Sequence, residues 1–146
     1  MTRIKHRNIP IGPLPVTAIN RALGLELEEG ELVLKSAAQV HAANRHPEEY
    51  QVILPCLSEV LASALYVGDD HDNAGKIELI GRIREIDLFI LIAIIIEVDA
   101  KGFYSVASFY PVSQPKIQGR RDKGQGIFEA IALNRKGSRK APLCRL

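Results

Sequence analysis

Cysteine is scarce: Cys56 and Cys144 are the only two in 146 residues, far apart and outside any CxxC spacing. That argues against a zinc ribbon or a disulfide framework, so reduced thiols in a cytosolic setting are the expectation, with a single bridge left open. No apolar run is long enough for a membrane helix. The greasiest stretch, residues 88–96, ends after nine residues at Glu97, less than half of the roughly 20 a spanning helix needs. The opening is basic but runs into Pro10, Gly12, Pro13 and Pro15 where a signal peptide would turn apolar. Walker and Rossmann glycine patterns, HExxH and the nucleophile elbow are all missing. Asp69-Asp70-His71-Asp72 lacks the EF-hand spacing and its terminal glutamate, and reads as a solvated loop. A soluble, cytoplasmic chain with neither metal nor cofactor is therefore expected.

What is present fits one domain with a real core. Hydrophobic residues make up 47% and charged residues 25%, so the chain is neither disordered nor fibrous. Charge is unevenly placed. Residues 116–146 hold nine Lys/Arg and two Asp/Glu, a local +7; the whole chain is +2, which leaves −5 on the preceding 115 residues. A basic end on a mildly acidic body suits binding to a polyanion. For the last dozen residues, a solvated, partly disordered tail is the better reading of the charge.

The hydrophobic period changes once along the chain. Prolines and glycine keep the first 15 residues extended, and Thr17 can cap a short helix closed by Gly24. Residues 31–34 form a short extended segment. Ser36 with Gln39 reads as a capping box that starts a helix over 37–45. Pro47, with Glu48 and Glu49 behind it, opens the next helix. Pro55 forces a break and a fresh helix over 56–65, with Leu57, Val60, Leu61 and Ala64 as its core stripe. From Lys76 the pattern is β: alternating over 76–83, continuously apolar over 87–98, alternating over 103–112. Asp99-Ala100-Lys101-Gly102 is the hairpin turn between the last two. A further element over 127–133 is either strand or helix. The fold class expected is α+β, N-terminal helices packed on an antiparallel β-sheet. Residues 1–30 read as an extension, 31–133 as the domain and 134–146 as a basic tail.

The most informative stretch is 40–50, where His41, Arg45 and His46 fall within six residues. Spacing of four puts His41 and Arg45 on one helix face, with His46 one step around. Imidazole gives or takes a proton near neutral pH, and guanidinium grips phosphate through two parallel hydrogen bonds. A polar helix end capped by a histidine is the plain structural alternative.

The order of signals resembles a known family. A histidine-bearing helix, Arg45-His46-Pro47-Glu48, a Leu54-Pro55 helix, Tyr66-Val67-Gly68 and a strand ending Ser108-Phe109-Tyr110 are similar to phage-associated members of the barnase/EndoU/colicin-D/RelE-like nuclease superfamily. The likeness covers roughly residues 31–120. It departs at Ala64-Leu65, where the family usually has an Asn-Pro-like helix end. It implies a compact α+β fold whose sheet and first helices form a site for RNA, in toxins or phage effectors. RNA is then the expected partner, with an immunity or antitoxin protein beside it if the chain is a toxin.

Cutting RNA without a metal needs a base for the 2′-hydroxyl, a cation for the phosphorane and an acid for the leaving oxygen. His41 and His46 are the acid–base candidates, in either order, and Arg45 the phosphate clamp. Ser108 and Tyr110, two apart on one strand, share a face with Tyr104 and offer hydroxyls and a ring for a base. Lys116, Arg120, Arg121 and Lys123 follow as phosphate contacts. Two further classes stay open: a silent RNA- or protein-binding module of the same fold, and a structural phage component.

Overall fold

A computed structural model of the chain describes residues 7–45, 47–69 and 75–117, and the backbone of 129–130. The elements run β1 (Ile9–Pro13), α1 (Val16–Leu23), β2 (Glu31–Leu34), α2 (Ser36–Arg45) and α3 (Pro47–Ile53). A 3-10 turn (Leu54–Cys56) leads to α4 (Leu57–Ala62), then β3 (Tyr66–Asp69), β4 (Lys76–Ile83), β5 (Leu88–Ile95), β6 (Tyr104–Val112) and β7 (Glu129–Ala130). The strands make one seven-stranded sheet in the order β1-β2-β6-β5-β4-β3-β7. The fold is α+β, as the change of period at Lys76 predicts.

The helices carry the chain from β2 across the sheet to β3 near the far edge. Three antiparallel pairings, β3–β4, β4–β5 and β5–β6, then bring it back. After those three reversals β6 lands parallel to β2, with Leu32 opposite Tyr104 and Val33 opposite Ser105. The sheet is therefore mixed, where the sequence predicts an antiparallel one; a local pattern cannot show which distant strands meet. β5 is the central strand. Its Ile90, Ile92 and Ile94 enter the main core under the helices, while Leu91 and Ala93 enter a second patch on the opposite face. Burial on both faces is why this strand reads as a continuous apolar run.

Residues 9–23, expected to be an extension, are part of the same body. Ile11, Leu14, Val16 and Ile19 all sit in the main core. Pro10 and Pro13 hide β1 from a sequence reading, yet an edge strand tolerates them because its outer N–H groups need no partner. Gly24 ends α1 in the left-handed conformation, φ 67°, and its N–H donates to the Asn20 carbonyl.

α4 lies almost on the backbone of β4. A β-carbon placed on Gly81 would stand 2.1 Å from the Val60 carbonyl oxygen, so only glycine lets Leu57, Val60 and Leu61 reach the core. Cys56 is fully buried and disulfide-bonded, against the expectation of a reduced thiol. The chain's other cysteine, Cys144, lies outside the described residues. Among the described residues, no helix is long and apolar enough to cross a membrane.

Candidate functional site

α2 presents two of the three residues singled out at its end. His41 and Arg45 are exposed and one turn apart, while Gln39 and Ala42 on the other side of the helix are buried. His46 lies outside the described residues. The helix is held firmly. The Gln39 amide donates to the carbonyls of Leu34 (3.2 Å) and Arg7, and its oxygen is the acceptor for the Tyr50 hydroxyl of α3 at 3.5 Å. The predicted capping box is thus not made, because Gln39 turns inward. Asn8 replaces it, its side-chain oxygen accepting from the Ser36 N–H at 3.1 Å. The Tyr50 ring packs on Phe109 of β6, centroids 6.1 Å apart. Partial burial raises the Tyr50 pKa, so its hydroxyl stays protonated at neutral pH.

On β6 the expected row of side chains is broken. Ala93 of β5 pairs with Ser108 and Ile94 with Val106, which leaves Ala107 as the extra residue of a β-bulge. Tyr104, Val106 and Phe109 therefore point under the helices, and Ser108, Tyr110 and Val112 point to the opposite, open face. Tyr104 leaves the predicted row altogether. It is buried, and its hydroxyl donates to the Glu28 carbonyl at 2.5 Å. Ser108 and Tyr110 do share a face, but the sheet separates them from α2, so the structure does not bring them to His41 and Arg45.

The open face has its own chemistry. Tyr66, Ile80, Leu91 and Tyr110 form a ladder across four strands, and Ile117 is buried in the same patch. Lys116, beside Ile117, is exposed, in a helical turn over 114–117 where its N–H donates to the Ser113 hydroxyl at 3.4 Å and the Ile117 N–H to the Ser113 carbonyl at 3.1 Å. Arg120, Arg121 and Lys123 lie outside the described residues, as do residues 70–74 of the acidic loop. Arg82 pairs with Asp87 and stands over Phe89, 5.8 Å from its centroid. Sequence reasoning missed Glu78, a buried carboxylate on this face between Gly68 and Ala93. The alternation over 76–83 already put it on the side of Ile80. Also missed were Lys35, Asp99, Lys101 and Phe103, which meet at one corner of the face. Asp99 accepts from the N–H groups of Phe103 (3.0 Å) and Lys101 (2.9 Å) and pairs with Lys35 at 3.0 Å. The Phe103 hydrogen bond first, then Lys35, lower its pKa to about 2.

Among the described residues, no group of three or more His, Cys, Asp or Glu is placed to hold a metal ion. Residues 11–119 match the sequence model of a family described as phage-Barnase-EndoU-ColicinE5/D-RelE like nuclease3. Neither a curated protein nor a solved structure matches the chain.

Proposed function

The chain belongs to this phage barnase–EndoU–ColicinE5/D–RelE-like nuclease family, and from that premise we propose that it is a metal-independent endoribonuclease of the toxin or phage-effector type. The observation that carries the reading is the exposed pair His41 and Arg45, one turn apart where α2 ends against α3. One histidine of His41 and His46 takes the proton from a ribose 2′-hydroxyl, and the oxygen attacks the adjacent phosphorus. Arg45 neutralises the phosphorane that forms. The other histidine protonates the departing 5′-oxygen, leaving a 2′,3′-cyclic phosphate and a free 5′-hydroxyl. Because the sheet lies between them and α2, Ser108 and Tyr110 serve as contacts for the strand, not as members of the reacting set. Lys116, Arg120, Arg121 and Lys123 add phosphate contacts that strengthen binding without reading sequence.

Purified protein incubated with total RNA and a chelator tests this directly. Fragments ending in 2′,3′-cyclic phosphate are the expected result. The separation of the α2 cluster from the open face favours one alternative, a catalytically silent RNA- or protein-binding module. Retention of RNA with no fragments, chelator present or not, would select it.

A further inference from the structure

The corner of the open face where β1, β2 and the β5–β6 turn meet holds a groove of 610 Å³. Its size falls within the range of small-ligand sites, about 300–1,000 Å³. Pro10, Val33 and Ala100 supply apolar walls, and the Phe103 side chain is 37% exposed beside them. Lys35 and Lys101 bring two ammonium groups to the rim. Glu31 is also there, and Lys35 is committed to Asp99, so the groove is close to neutral and is not a polyanion track. Stacking must then supply most of any affinity, with one ammonium, Lys101, for a single anionic group.

The corner is also built to stay still. Asp99 ties Lys101 and Phe103 by their backbone N–H groups and Lys35 by its ammonium. That network fixes the backbone that carries Phe103 and Lys101 before any ligand arrives, which lowers the ordering cost of binding. Lys35 immediately precedes α2, the helix that carries His41 and Arg45.

We propose that this groove seats one unpaired nucleotide of the RNA strand, its base against Phe103 and its phosphate on the Lys101 ammonium. The choice of ligand rests on the nuclease reading above. An aromatic face accepts any base, so the groove adds affinity and register with little sequence preference.

The test is fluorescence anisotropy with a labelled 2′-O-methyl RNA pentanucleotide, whose blocked 2′-oxygen cannot attack the phosphate. The full chain should bind it, and Phe103→Ala should weaken binding about tenfold. Phe103→Trp should retain or tighten it, which separates stacking from mere loss of fold. Lys101→Ala, at an exposed turn, should weaken binding and lower the salt slope by about one. An abasic strand of the same length should bind equally to wild type and Phe103→Ala. No binding by the wild type, or equal affinity for all three residues at position 103, overturns the proposal. Phe103-dependent binding by a protein that cuts no RNA upholds the groove and removes the nuclease reading. Cleavage with binding indifferent to Phe103 does the reverse.

Discussion

Adding one methyl group at Gly81 should be among the most damaging single changes in this chain. The new β-carbon would lie 2.1 Å from the Val60 carbonyl oxygen and 2.9 Å from its carbonyl carbon. An ordinary carbon–oxygen contact is about 3.3 Å, so something must move by about 1.2 Å. The obstacle is the backbone of α4, not the end of a flexible side chain. Moving α4 outward loosens Leu57, Val60 and Leu61, all buried in the main core. Overpacking costs about 1–3 kcal/mol, and a 0.5–1 Å gap forfeits a quarter to a half of each contact's attraction. Together these put Gly81→Ala at about 3–4 kcal/mol, a large part of the 5–15 kcal/mol that holds a typical domain together. With a urea m-value of about 2 kcal/mol/M, the unfolding midpoint should fall by about 1.5–2 M. Gly24→Ala is the control. Unlike Gly81, Gly24 sits at positive φ, but a side chain there meets nothing within 4 Å, so the change should cost only the left-handed penalty of about 1–2 kcal/mol. A Gly81→Ala midpoint within 0.3 M of wild type would show that α4 does not approach β4 as described.

Three further outcomes follow from single groups. Tyr104→Phe removes the hydrogen bond to the Glu28 carbonyl and should cost about 0.5–1.5 kcal/mol in urea unfolding with the m-value unchanged. The Asp99 carboxyl titrates at about 2 in the folded chain, below its usual unfolded value of about 3.9. Its contribution to stability is therefore present above pH about 4 and lost as pH falls through about 2; Asp99→Asn should flatten the acid limb of the stability profile in that window, measured by thermal melts from pH 5 to 2. Arg45→Lys keeps the charge and loses the fork, so cleavage should fall well below wild type while the melting temperature stays put; full activity would remove the clamp role.

The helices were legible because their punctuation is local. Ser36 and Pro47 bracket α2 and open α3, and Pro55 marks the break before α4. β4, β5 and β6 were legible because alternation and a continuous apolar run are properties of neighbouring residues. The bulge at Ala107 was not, since nothing in Ser105-Val106-Ala107-Ser108 signals an extra residue. That single insertion moves Ser108 and Tyr110 to the face opposite Tyr104. β1 was hidden by its prolines, and the parallel pairing of β2 with β6 joins segments about 70 residues apart. The α2 cluster was visible as a run of adjacent residues. The groove was not: Pro10, Lys35 and Phe103 come from three distant segments and form no motif.

The most direct measurement is cleavage of total RNA, in chelator, by wild type and by His41→Ala and His46→Ala, with melting curves alongside. Each replacement should lower the rate of 2′,3′-cyclic phosphate formation by about 100-fold or more, the usual share of a positioned acid or base. The melting temperature of His41→Ala should stay at the wild-type value, since this side chain is exposed on α2. Wild-type cleavage rates in both variants, or no cleavage by the wild type itself, would contradict the account.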